Sequence, residues 1–198
     1  MLFLRKPGIE TIRGFLVRQS KLNFTYSAVG ATSGNLPPGY AIDHSRIKLG
    51  EGESAYEAAK EALRNWDQFR LGWLEAGPEG TPIQTNAMVA ILARTFGIWW
   101  LNACRIVLVI EEVGTVSRFG FAYGTLPDHA GTGEERFLVE WDQADDGVWF
   151  DILAFSRPHH FLTRLAYPIV RMTQKKFGRE SCRRMRESVR AKSENTES

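Results

Sequence analysis

Apolar residues alternate with polar or small ones along most of residues 69–157, the period of a strand rather than a helix. Six runs carry the pattern: FRLGWLEA (69–76), MVAILART (88–95), ACRIVLVIEEV (103–113), SRFGFAYGTL (117–126), ERFLVEWD (135–142) and VWFDILAFSR (148–157). Turn signals separate them: Gly77-Pro78-Glu79-Gly80, Gly97, Gly114, the stretch GTLPDHAGTG, and Asp145-Asp146-Gly147. Such short connections predict an antiparallel meander, because parallel neighbours need long crossovers. AIDHSRIKLG (41–50) predicts one more strand, and Pro37-Pro38 excludes helix just before it.

Helical spacing appears in three places. Ile9, Ile12, Phe15 and Leu16 predict a short helix within residues 8–20. ESAYEAAKEALRNW (53–66) is rich in Ala and Glu and sets Tyr56, Ala59, Leu63 and Trp66 on one face. Leu162, Leu165, Ile169, Met172, Phe177, Met185 and Val189 trace an interrupted apolar stripe between Pro158 and about Lys192, with a kink or a break expected at Pro168. His159-His160 are expected to begin this last helix. The fold class is therefore α+β, an antiparallel sheet packed on a long C-terminal helix. Three parts are expected: residues 1–40 as a helix and extended segment on the core, 41–192 as the main domain, and 193–198 as a disordered tail.

A chain of 198 residues suits one domain and buries roughly 70% of its unfolded surface. The segment 88–110 has the length of a membrane span, but Arg94 and Arg105 lie inside it and Gly97 divides it into paired strands. MLFLRKPG has no apolar core or cleavage site of a secretory leader, and Cys104 and Cys182 form no close pair. These features point to a soluble protein of a reducing compartment, the cytoplasm. Residues 157–192 hold eleven Lys or Arg against Glu180 and Glu187, although the whole chain is only +2. The basic residues surround the helix apart from its apolar stripe, as on a solvated face; an anionic membrane surface or nucleic acid is the alternative partner.

FTYSAVG, LPPGYAIDHSRIKLGEG, ALRNWDQFRLGW, RFGFAYGTLPDHAGTGEERFLVEWD and DGVWFDILAFSRP together resemble uncharacterised protein family 0548, a domain of unknown function. The order of elements also resembles the helix-grip fold of the START and Bet v 1-like superfamily. That resemblance implies a curved sheet of about six to seven strands, which with the C-terminal helix encloses a cavity for an apolar or amphipathic small molecule. Helix-grip proteins usually add a second short helix after the first strand; here either the first helix breaks near Gly52 or the second is missing. The family resemblance implies a bacterial-type protein and supplies no reaction, cofactor or catalytic residue.

Both faces of several strands are apolar: Phe119, Phe121 and Tyr123 share one face, while Phe150 and Ile152 oppose Trp149, Leu153 and Phe155. Either the first 40 residues cover the outer face or aromatics line a cavity, and the two are compatible. Phe119, Phe121, Tyr123, Phe150, Ile152, Arg118, Tyr26 and Asp43 are the candidate ligand-binding residues. Charged residues within strands, among them Arg70, Arg118, Arg136, Glu140 and Asp151, suit cross-strand ion pairs; a pair inside a cavity would instead hold a polar ligand head. In the loop block, Tyr123, His129 and Glu135 are candidates for acid/base catalysis with Tyr26 or Asp43 opposite, against the plainer reading of a hairpin loop. His44, His129 and His159-His160 lack metal-site spacing, and no GxSxG, dinucleotide or Walker signature occurs, so neither metal nor cofactor is expected. The expected function is small-molecule binding, with an enzyme on the same scaffold as the alternative.

Overall fold

The computed structural model describes residues 1–159 and 167–196, with side chains through Lys192. Seven strands, β2 (Ala41–Glu51), β3 (Leu74–Gly77), β4 (Met88–Thr95), β5 (Ile98–Glu112), β6 (Val116–Thr125), β7 (Gly131–Asp142) and β8 (Gly147–Pro158), form one curled sheet ordered β2-β8-β7-β6-β5-β4-β3. Every pairing is antiparallel, and β2 closes onto β8 at the far edge. Register shifts at Lys48/Gly50 and Ile106/Leu108 bend the long strands. Two-residue β1 (Leu2–Phe3) pairs with β5 beside Trp99 and Trp100.

Helix α2 (Gly52–Arg64) and helix α3 (Tyr167–Thr196) cover the inner, concave face. This is the helix-grip arrangement that the resemblance implies. The second helix of the grip is reduced to one 3-10 turn, Asp67–Phe69, reached through Trp66 in the left-handed region. That turn takes Phe69 out of the expected 69–76 strand and buries it on the inner face, so β3 starts only at Leu74. Leu63, Phe69, Phe121, Phe137, Phe150 and Met185 are fully buried there, each contributing about 2 kcal/mol by removal from water.

The outer face is covered in part by the N-terminal segment. Helix α1 (Ile9–Gln19) turns Ile12, Phe15 and Leu16 onto Ala90, Leu92, Leu101 and Ala103, a second core on the opposite side of the same strands. The two apolar faces of the strands thus have separate covers.

One further expectation changes. The β4–β5 turn is the two residues Phe96-Gly97, both at positive φ (51° and 81°), so β5 absorbs IWWLN and begins at Ile98. Pro168 is the second residue of α3, a position that tolerates proline. His160, Leu162 and Leu165 lie outside the described residues.

Candidate functional site

A partly open cavity of about 1010 Å³ lies between the inner sheet face and the N-terminal half of α3. It exists because the two halves of α3 are seated differently. From Phe177 onward, Phe177, Cys182, Met185 and Val189 pack into the inner core, whereas Tyr167, Ile169 and Met172 near the start keep 40%, 45% and 70% of their surface exposed. The N-terminal half is tied to the sheet edge by polar bridges. The Arg171 guanidinium forks onto Asp43 of β2, with Nη2 to Oδ1 at 2.6 Å, and Gln174 Nε2 donates to Ser156 Oγ of β8 at 2.8 Å. Gly178 is the point of closest approach: a Cβ there would sit 2.6 Å from Ser45 Oγ.

One row of register partners crosses the inner wall from β2 to β5: Asp43, Ala154, Glu135, Tyr123 and Ile106. Behind it stands the solid aromatic floor, with the Tyr123 ring 5.5 Å from Phe137 and 6.2 Å from Phe69. Tyr123 Oη donates to Glu135 Oε2 at 2.6 Å, and both residues line the cavity. Protein surrounds Glu135, and what surface it keeps opens into the cavity. Burial pushes its carboxyl up from 4.5 to about 7; the Tyr123 hydrogen bond opposes that shift and Asp43 adds to it. Burial also drives the Tyr123 phenol well above its ordinary value, with Glu135 adding to the effect. Cys104, fully buried on β5, is likewise held as a thiol by burial and by Glu135, so it is no nucleophile near neutrality. The pair is a proton-bearing group in an apolar recess, able to donate or accept one hydrogen bond and to exchange a proton near neutral pH.

Glu134, one residue earlier, faces the other way. Its carboxylate accepts Tyr26 Oη (2.7 Å), Gly30 N (2.7 Å), Thr32 N (3.0 Å) and Thr32 Oγ1 (2.6 Å), and so anchors the segment before β2 to the outer face. Gly124 makes room for this segment, since a Cβ there would lie 2.1 Å from Tyr26 Oη and 2.9 Å from the Phe24 ring.

The candidate residues therefore divide. Tyr123, Glu135, Asp43, Ile152 and His129 border the cavity. Phe119, Phe121 and Phe150 share the inner face but belong to the solid core beyond the cavity. Tyr26 leaves the ligand-binding set because its hydroxyl is bound to Glu134 on the outer face. Arg118 leaves it too: it pairs with Glu140 (2.9 Å) and Glu112 (3.0 Å) on that same face, in a charged ladder that continues through Arg46 to Asp151. His129 sits half-buried in the five-residue β6–β7 loop, with Nδ1 3.0 Å from both the amide and the carbonyl of Gly131.

Arg171, Gln174, Trp73, Trp100 and Phe177 also border the cavity; none of them is among the site residues expected from the sequence, where Phe177 figures only in the apolar stripe of the last helix. The Arg171–Asp43 pair joins positions 128 apart and has no local signature. Trp73 Nε1 donates to Glu180 of α3 at 2.6 Å, closing the cavity's opposite side. Elsewhere on α3, Lys176, Arg183 and Lys192 meet Glu180, Glu187 and Glu61, so part of the basic character is neutralised locally. Among the described residues no three His, Cys, Asp or Glu side chains gather at metal-binding range. No described helix is long and apolar enough to cross a membrane.

Residues 25–184 match the family described as a domain of unknown function, DUF1990. A UPF0548 protein of Dictyostelium discoideum is 34% identical across 96% of each chain. The chain belongs to this family. Another UPF0548 protein, from Deinococcus radiodurans, is 36% identical over 92% of this chain and 96% of its own. One from Arabidopsis thaliana is 36% identical over 77% and 75%. The UPF0548 family thus extends beyond bacteria, and the bacterial character implied by the resemblance is not a property of the family. Among solved structures, a hypothetical protein from Helicobacter pylori aligns with a TM-score of 0.50 at 12% identity, over 82% of this chain and 96% of that one. Human STARD10 aligns at 0.49 and 13% identity, over 93% and 80%. At such identities the likeness concerns the fold alone.

Proposed function

We propose that this UPF0548 protein binds an apolar or amphipathic small molecule in the cavity between the sheet and the N-terminal half of α3. The observation that carries the reading is a recess of about 1010 Å³ that sets the Tyr123–Glu135 pair against an aromatic floor. Apolar walls supply affinity through burial, and a few placed polar groups supply orientation. Arg171, Asp43 and Gln174 act as the clasp at the cavity's edge rather than as ligand contacts, because their hydrogen bonds are already directed at one another and at the sheet. Titration with the fluorophore N-phenyl-1-naphthylamine tests the reading. Saturable one-to-one enhancement is expected, and its absence contradicts binding.

The Glu135 carboxyl favours a second reading, an enzyme. A buried acid raised to about 7 exchanges protons efficiently near neutral pH, which suits general acid/base work on a bound ligand. Tyr123 would hold the carboxyl in place and His129 would stand at the rim. Turnover of a ligand recovered from the purified protein, abolished in Glu135→Gln while binding persists, would distinguish enzyme from carrier.

A further inference from the structure

We propose that Tyr123 and Glu135 make the deep end of the cavity select a ligand whose buried end carries an uncharged hydroxyl or carbonyl group, and reject one that must bury a carboxylate or phosphate. The inference rests on the binding reading above and names the ligand class for that same cavity.

The argument starts from which polar groups are still available. Tyr123 has one hydroxyl proton, and it is directed to Glu135 Oε2 at 2.6 Å. The second carboxyl oxygen of Glu135 has no hydrogen-bond partner among the described residues, so the vacant position at the deep end belongs to a carboxyl group. Two more deeply buried polar side chains of the inner wall are engaged. Asn102 donates to Ile91 O at 3.1 Å and accepts from Ala130 N at 3.1 Å. Thr125 Oγ1 lies 2.7 Å from Thr25 Oγ1 and accepts from Gly133 N at 3.0 Å.

An anionic ligand end needs a cation, and among the described residues the inner wall offers none that is uncommitted. Arg171 is the cation nearest the row, and its two terminal nitrogens are spread over both Asp43 oxygens and Gln174 Oε1. Arg157, Lys175 and Arg179, also on the cavity's boundary, are exposed to solvent. A carboxylate pushed to the floor would therefore lose its water and face a second carboxyl group across apolar walls. A hydroxyl meets a partner in either protonation state, since the ionised Glu135 accepts from it and the protonated one donates to it; a carbonyl meets a donor in the protonated form. A carboxyl held up by burial is the form such a recess favours.

A matched pair of ligands isolates the buried end. 12-Hydroxydodecanoate and dodecanedioate each carry one carboxylate that can stay at the mouth; they differ only in whether the other end is a hydroxyl or a second carboxylate. Displacement of N-phenyl-1-naphthylamine from the full chain at about pH 8, above the titration of Glu135, is the readout. The hydroxy acid is expected to displace the fluorophore at a concentration at least about tenfold lower than the diacid. In Glu135→Gln the difference is expected to shrink to within about threefold, because the repelling charge is gone and an amide donor replaces it. Equal or tighter binding of the diacid by the wild-type chain would overturn the inference, as would a ratio that Glu135→Gln leaves unchanged. If Glu135→Gln fails to fold, the wild-type ratio still decides between the outcomes. Failure of the fluorophore itself to bind would instead overturn the binding reading, a distinguishable result.

Discussion

Glu134 and Glu135 are consecutive on β7 and point to opposite faces of the sheet, where they do opposite things. Glu134 is a fully used carboxylate with four hydrogen bonds from the outer segment; Glu135 is a cavity carboxyl with one, from Tyr123. The period-two geometry of a strand lets two identical residues serve structure and site side by side.

Removing Glu134 should therefore cost stability and spare the cavity. Glu134→Ala leaves the Tyr26 hydroxyl, two backbone amides and the Thr32 hydroxyl without their acceptor. A loss of about 3 kcal/mol is expected in urea denaturation, with fluorophore affinity little changed below the transition. A loss of affinity at full stability would place Glu134 in the site instead.

Glu135 should make stability fall as pH rises. Its folded pKa, about 7, lies above its ordinary 4.5, so the folded chain keeps a proton that the unfolded chain has given up between those values. Stability relative to Glu135→Gln then declines through that window and is lowest above it. The carboxyl opens into the cavity, so the full shift is discounted to about 2 kcal/mol. The groups facing it are Tyr123, which donates to it, Asp43, whose charge Arg171 offsets, and the Cys104 thiol. Denaturation of both proteins at about pH 5 and pH 8 measures the difference. Parallel pH dependence would refute the raised pKa.

Gly124 should be intolerant of any side chain. Gly124→Ala puts a methyl group on the Tyr26 hydroxyl and the Phe24 ring, so the outer segment must shift. A cost of about 2 kcal/mol and faster proteolysis before Ala41 are expected. Unchanged stability would mean that the segment is held less closely to the sheet than the Glu134 anchor implies.

The clasp at the N-terminal half of α3 should control access. Arg171→Leu strands the Asp43 carboxylate and is expected to cost about 1–2 kcal/mol, because both partners are only partly buried. Hydrogen exchange should accelerate in residues 167–176 and not in 180–190, where Met185 and Val189 pack into the core. Uniform acceleration would show that α3 opens as one unit.

The parts of this fold that were legible in the sequence are those with local causes. Alternation and turn residues mark β4 and β6 through β8, and the Ala- and Glu-rich face marks α2. β1 is too short to show any period, and it exists only because β5 offers an edge beside Trp99 and Trp100. The 3-10 turn at Phe69 looked like a strand because tertiary burial, not local preference, decides its conformation. The site was partly legible for the same reason. Alternation places Tyr123 and Glu135 on one face and Arg118 on the other, but with both faces apolar it does not say which one is hollow. The Arg171–Asp43 clasp required the folded register.

The central claim is the cavity, and filling it is the most direct test. Ala154 is a buried residue of the row that holds Asp43 and Glu135, and it borders the recess. Ala154→Trp should abolish the saturable binding of N-phenyl-1-naphthylamine seen in the wild-type chain while leaving the circular dichroism spectrum unchanged. Undiminished binding by a folded Ala154→Trp protein would contradict the account.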